Sequence, residues 1–291
     1  MPEPLRGKPA VRFSAGESAA RSSALVFVKL GGSLITDKAR PMTVRRKEIG
    51  RCAHEVAAAR NAGARMLLGH GSGSYGHHVA SQYGTRRGVR GDVGWYGYAR
   101  VARVARELNQ TVVAALLDEG LPAVALPPSA SARARAGQLV WLEHEAAQRL
   151  LQVGALPVVF GDVALDEEWG GTIVSTEQVF SYLATFLKPA RIVLAGEVDG
   201  VCDGDPTAGR EVEVYSVINS GNYHEVLRHL GQARGADVTG GMADKVRRMY
   251  ELAARQPGLR IQIVNGRTPG LLQRAILGQA EGEGTTITGS G

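Results

Sequence analysis

Short apolar runs recur along the chain, and most lead into a stretch with helical periodicity. Leu25-Val26-Phe27-Val28 predicts a first strand, and residues 43–62 predict the helix after it. Arg65-Met66-Leu67-Leu68 predicts a second strand. Residues 95–119 then predict a long helix, because Val101, Val104, Ala105, Leu108, Val112 and Leu116 share one face at helical spacing. The pattern continues with a strand at 123–126, a helix at 143–153, a strand at 156–160 and a hairpin over 163–173 with Gly170-Gly171 in its middle. After these come a helix at 176–187, a strand at 191–194, helices at 221–233 and 241–255, a strand at 261–264, a short helix at 269–278 and a closing strand at 285–288. Strand–helix alternation of this kind predicts an α/β fold with a mainly parallel sheet covered on both faces.

With 291 residues the chain is long enough for one large α/β domain or two closely packed lobes. Hydrophobic residues at 44% and charged residues at 21% suit a protein that buries a core. No apolar run approaches the ~20 residues that span a bilayer, and no hydrophobic segment near the start predicts secretion. Cys52 and Cys202 stand far apart, so neither a disulfide framework nor a thiolate metal site is expected, and a cytoplasmic location is. The net charge of +6 comes from arginines scattered over helices rather than from one basic stripe, which argues against a nucleic-acid partner. Solvated helix faces account for it, and an anionic substrate also suits it. Residues 1–24, rich in Ala, Arg, Ser, Pro and Gly, predict a disordered tail; their Arg and Ser content is that of a transit peptide, but Glu3 and Glu17 run against that reading.

In such a sheet, ligands bind at the carboxyl ends of the strands. Lys29-Leu30-Gly31-Gly32-Ser33, with Thr36-Asp37-Lys38 behind, follows the first strand. Adjacent glycines let backbone N–H groups approach an oxyanion, and a strand lysine costs desolvation unless an anion is near. A structural turn beside a snorkelling lysine fits the same residues. Gly69-His70-Gly71-Ser72-Gly73-Ser74-Tyr75-Gly76-His77-His78 follows the second strand as a glycine nest running into a helix N-terminus, with His77 expected in the first turn. A solvated histidine at a helix start is the plain alternative. Gly71, Gly73 and Gly76 also match GxGxxG, but residues 79–98 hold no second strand ending in an acid, so a dinucleotide site is discounted. No GxxxxGK[ST] occurs. Gly161-Asp162, Gly196-Glu197-Val198-Asp199-Gly200-Val201 and Asp237-Val238-Thr239-Gly240-Gly241, the last leading to Lys245, complete five charged or glycine-rich loops expected at strand ends of one sheet. Each alone is also ordinary turn punctuation.

In this order these motifs resemble the amino acid kinase superfamily, and within it the isopentenyl phosphate kinases, over residues 25–288. The resemblance implies an αβα sandwich with an acceptor lobe over 25–175 and a nucleotide lobe over 176–291. It implies ATP and Mg2+ as cofactors, a small phosphate-bearing acceptor and a homodimer. By the same resemblance, Lys29 neutralises the transferred phosphoryl group, Lys38 contacts ATP phosphates, Asp162 orients the lysines and Lys245 serves the nucleotide lobe. Gly32, Gly71, Ser72, Gly73, Gly76 and His77 are implied contacts of the acceptor, with His77 on its phosphate. Gly31, Ser33, Glu197, Asp199, Gly200 and Gly240, with Lys29, Lys38 and Lys245, are implied contacts of the nucleotide. Metal-binding residues are not identified. Two positions depart from the pattern: Gly196-Glu197 stands where Thr-Asp is common, and Ser175-Thr176-Glu177 where Ser-Gly-Asp is common.

The activity this resemblance implies is transfer of a phosphoryl group from ATP to isopentenyl phosphate. Trp95, Tyr96, Tyr98 and Val101 are candidates to line an apolar pocket for its organic tail, or are plain core and interface residues. A fosfomycin kinase-like enzyme is the rival within the fold, and a non-catalytic nucleotide-binding or storage protein the rival of another class. Carboxylate kinases have no evident use for His77.

Overall fold

The structure is a computed structural model and describes residues 24–204, 212–232 and 241–290. The first half of the chain runs β1 (Leu25–Leu30), α1 (Gly32–Ile35), α2 (Arg46–Asn61), β2 (Arg65–His70), α3 (Gly73–Tyr83), α4 (Gly91–Asp118), β3 (Ala123–Ala125), β4 (Arg133–Arg135) and β5 (Gln138–Trp141). It continues through α5 (Glu145–Gln152), β6 (Leu156–Phe160), β7 (Asp162–Asp166), β8 (Gly170–Val174), α6 (Thr176–Leu187) and β9 (Arg191–Gly196). The last stretch holds β10 (Val217–Ile218), α7 (Tyr223–Gln232), α8 (Gly241–Arg255), β11 (Arg260–Asn265), α9 (Leu271–Leu277) and β12 (Thr285–Ile287). Residues 1–23 and 237–240, for which sequence expectations were stated, lie outside the described residues.

The main sheet has the order β10-β12-β11-β9-β1-β2-β6-β3. From β11 to β3 every neighbouring pair is parallel, and only β11 and β12 pair antiparallel. The carboxyl ends of β1, β2, β6, β9 and β11 therefore lie along one edge. β1 occupies the centre, buried along its whole length between β2 and β9.

Strand alternation sends successive side chains to opposite faces. Val26, Val28 and Leu30 enter the core shared with α2, α4 and α9. Leu25 and Phe27 enter the second core, under α6 and α8, where Phe27 meets Phe180 with ring centroids 5.1 Å apart. Lys29 shares the parity of Phe27, so its side chain belongs to the α6 face. The apolar stripe expected on the long helix is buried as predicted, and α4 begins four residues before position 95, at Gly91.

A second sheet, β5-β4-β7-β8, was only half foreseen. Its β7–β8 hairpin was expected over 163–173, but the turn falls at residues 167–169 and Gly170-Gly171, expected in the middle, are paired residues of β8. Strands β4 and β5 were not expected, because Arg133-Ala134-Arg135 and Gln138–Trp141 are too short and too polar to stand out as apolar runs. Gly161-Asp162 follows β6 of the main sheet as expected, and Asp162 also opens β7 of this second sheet.

Candidate active site

The buried strand lysine finds its counter-ion on the facing helix. Lys29 Nζ donates to Glu177 Oε1 at 2.6 Å, and both residues are less than 10% exposed. Glu177 lies in the first turn of α6, one turn before Phe180, so the contact that docks α6 on β1 also aims the carboxylate at Lys29. Burial alone would raise the Glu177 carboxyl; the cations of Lys29 and Lys245 outweigh it and hold the carboxyl down at about 2. Lys245, half-buried on α8, thus joins Lys29 around one carboxylate, although 216 positions separate the two lysines in the numbering.

Beside this pair the two glycine loops meet backbone to backbone. A Cβ on Gly32 would stand 2.4 Å from the Gly73 nitrogen, and one on Gly73, whose φ is +48°, would stand 2.5 Å from the Gly32 carbonyl oxygen. Only residues without a side chain permit this approach. Gly31 N–H donates to Ala195 O at 2.7 Å and Gly71 N–H to Leu30 O at 3.0 Å, so each loop is also tied to its neighbouring strand. The buried Thr36 hydroxyl donates to Gly32 O at 2.7 Å and accepts from Ser74 N–H at 2.9 Å. Helices α1 and α3 start here with no side-chain cap on their first N–H groups. Thr36→Val removes both hydrogen bonds of the hydroxyl, one of them the link between the loops, at nearly constant volume, and is expected to lower the unfolding free energy by about 1–3 kcal/mol in urea titration.

His77 does not sit in the first turn. Helix α3 already begins at Gly73, with Ser72 as N-cap, so His77 is the fifth helical residue and exposed. Glycine-rich sequence reads as loop, whereas here Gly73 and Gly76 lie inside the helix; a Cβ on Gly76 would stand 2.4 Å from Ser72 Oγ. Lys38 is exposed on the turn after Thr36, next to Asp37, whose carboxylate is taken by Ala39 N–H and Arg40.

Asp162 is buried, but its carboxylate accepts from the backbone N–H groups of Ser129 at 3.0 Å and Val163 at 2.8 Å. Burial pushes its carboxyl up, against those hydrogen bonds and the Arg106 charge. The part expected of Asp162, orienting the lysines, is taken for Lys29 by Glu177, a residue noted in the sequence only as a departure. The resemblance implied the role for Asp162; in the structure two backbone amides engage its carboxylate.

On the other side of β1, Glu197 forms ion pairs with both Arg45 and Arg267. Arg45 also donates to Ser33 O at 3.1 Å, which links the first glycine loop to the β9 loop. Asp199 accepts from Asn265 Nδ2 at 2.8 Å, and Gly200 is buried against Val214 and Thr285. Gly240 lies outside the described residues. Of the aromatic candidates, Trp95 and Tyr96 are 42% and 56% exposed, Tyr98 is half-buried against Trp95, and Val101 is core. Burial, with the Asp162 charge, raises the Tyr98 hydroxyl to about 12, so Tyr98 and Asp162 are neighbours. An open cavity of about 550 Å³ lined by Tyr83, Arg87, Gly88, Arg90, Val93 and Gly94 contains none of the expected site residues. Among the described residues no three His, Cys, Asp or Glu side chains cluster as metal ligands.

Residues 24–265 match the family model described as amino acid kinase family. The chain is 34% identical to an isopentenyl phosphate kinase of Methanothermobacter thermautotrophicus, over 91% of this chain and 99% of that protein. It is 29% identical to an isopentenyl phosphate kinase of Methanocaldococcus jannaschii, over 89% of this chain and 97% of that one. A solved structure described as isopentenyl phosphate kinase superposes with a TM-score of 0.78 at 31% identity, over 91% of this chain and 100% of that one.

Proposed function

The chain belongs to the amino acid kinase family, and from that we propose that it transfers the γ-phosphoryl group of ATP to isopentenyl phosphate. The observation that carries the kinase reading is the meeting of Lys29 and Lys245 around Glu177 beside two abutting glycine loops. The relatives carry the choice of acceptor.

Phosphoryl transfer asks a protein for placement and for charge at the equatorial oxygens rather than for covalent help. Two phosphates ~5 Å apart repel by several kcal/mol at an effective dielectric of ~20. Lys29 and Lys245 are the cations assigned to offset that repulsion. The Glu177 carboxylate balances the charge of both lysines, its own pKa being lowered by them. The acceptor's phosphate is already largely ionised near neutral pH, since its second pKa is about 6. No general base is required. The second glycine loop, Gly71 to Gly76, is assigned to the acceptor phosphate, with His77 binding and orienting it. The first loop and the residues around Gly200, together with Lys38 and Lys245, are assigned to the nucleotide.

Mg2+ is proposed as the counter-ion that enters with the nucleotide's phosphates. Among the described residues there is no cage for it, which suits an ion held mainly by phosphate oxygens and water. A two-lobe division at residue 175, a homodimer and a cytoplasmic location belong to the same proposal. Among the described residues no helix is long and apolar enough to cross a membrane.

The test is ATP consumption with isopentenyl phosphate, dimethylallyl phosphate, fosfomycin and acetylglutamate in parallel. Turnover is expected to be highest with isopentenyl phosphate; a preference for fosfomycin, or no turnover with any acceptor, would reject the proposal. His77→Ala is expected to lose about 100-fold in kcat/KM for the phosphate acceptor, the scale of a lost positioning contact. Near-normal turnover would remove His77 from the site.

A further inference from the structure

His70 is the most enclosed ionisable group near the glycine loops, and nothing above gives it a task. It ends β2 and is 1% exposed. By strand parity it faces away from Lys29's side, into the core beneath α4. Both ring nitrogens are engaged: Nδ1 lies 3.0 Å from Gly71 O, and Nε2 lies 3.0 Å from Asn109 Nδ2 of α4. A carbonyl oxygen only accepts, so the ring proton is on Nδ1, and Nε2 accepts from the Asn109 amide. The ring lies nearly parallel to Phe160, with centroids 5.4 Å apart. The His70 carbonyl in turn accepts from Gly161 N–H at 3.2 Å and from the Thr176 hydroxyl at 2.7 Å, the residue before Glu177.

The consequence for the loop follows from peptide geometry. In a trans peptide the C=O and N–H of one plane point in opposite directions. With Gly71 C=O turned onto the buried ring, the Ser72 N–H of the same plane points away from it. Glycine at 71 leaves that peptide free to turn, so something must hold it. We propose that His70, oriented by Asn109, is a positioning residue that fixes the Gly71–Ser72 peptide so that the Ser72 N–H is presented to the acceptor's phosphate. Burial pushes the imidazole down to about 4, so the neutral tautomer this requires persists through the physiological range. This inference rests on the assignment of the second glycine loop to the acceptor.

Two substitutions separate the ring's two contacts. In His70→Asn the side-chain amide can reach the Nδ1 position and donate to Gly71 O, but not Asn109. In His70→Gln it reaches towards Asn109 and leaves Gly71 O without its donor. Steady-state kinetics with isopentenyl phosphate are expected to show KM for the acceptor raised about fivefold or more in His70→Gln, within about twofold of wild type in His70→Asn, and KM for ATP unchanged in both. Equal acceptor KM values in the two variants, or an ATP KM that moves with the acceptor KM, would overturn the proposal. Should either variant fail to fold by circular dichroism, Asn109→Ser supplies the test: it frees the ring's orientation from a distance and is expected to raise acceptor KM about threefold with ATP KM unchanged, and no change rejects the proposal. If the wild-type enzyme does not turn over isopentenyl phosphate, the functional reading fails; if it does and these KM values do not split, only the role of His70 fails.

Discussion

Glu177→Gln should lower the unfolding free energy by about 3 kcal/mol at pH 7, the usual scale for breaking a buried ion pair from one side. The substitution keeps the shape of the side chain but leaves buried Lys29 and half-buried Lys245 beside a neutral amide. The pH dependence gives an independent reading. The Glu177 carboxyl is lowered from 4.5 to about 2 in the folded protein, so its contribution is complete above about pH 4.5 and disappears as the pH falls towards 2. Wild-type stability, followed by urea unfolding, should therefore fall more steeply than that of Glu177→Gln across this window, and the two curves should converge at its acid end. Glu177→Asp should lie between them, since its carboxylate is charged but one methylene short of Lys29. Parallel curves for wild type and Glu177→Gln would mean that the pair does not carry this charge balance.

Gly32→Ala should lose about 100-fold in kcat/KM while remaining folded. The new methyl group would stand 2.4 Å from the Gly73 nitrogen and 2.7 Å from its Cα, and backbone atoms cannot swing aside as a flexible side chain can. Relief requires the two glycine loops to separate by roughly 1 Å, and a displacement of that size in a positioning element costs about two orders of magnitude in rate. The fold itself should survive, because the loops sit at the rim of the sheet and overpacking there costs about 1–3 kcal/mol. Gly63→Ala is a control in steady-state kinetics: Gly63 also has an unusual φ, +94°, but nothing stands within 4 Å of its added Cβ, and it lies remote from the loops in the α2–β2 turn. Equal activity in Gly32→Ala and wild type would show that the close approach of the loops has no part in turnover.

What could be read from the sequence was mostly local. The α4 stripe, the strand at 156–160 and the helix at 176–187 are each written in a single stretch of residues, and the structure places them there. The expectation that Lys29 must have an anion nearby was also local reasoning about a charge in a strand. Which anion it meets was not. Glu177 is 148 positions away, and it reaches Lys29 because Phe180 packs on Phe27, a contact between two surfaces that no single window contains. The role of Asp162 was implied by the resemblance, and the two amides that hold it, one of them Ser129 from 33 positions earlier, become visible only in the fold. The start of α3 was missed for a different reason: glycine is a poor helix former, and Gly73 and Gly76 serve the helix here by letting other backbone and side-chain atoms come close. His70 gave no sequence signal at all, since a histidine beside glycines looks the same whether its ring is buried or not.

The central position of β1 has a consequence for how the molecule is made. Its neighbours are β2 and β9, so one of its two edges can be completed only by residues 191–196. A nascent chain must therefore carry a half-paired central strand, apolar but for Lys29, until roughly two-thirds of it has left the ribosome. Pairings between such distant segments form slowly. Neither half cut at residue 175 would hold a finished sheet, and fragments split at that point should recover a native fold only when mixed.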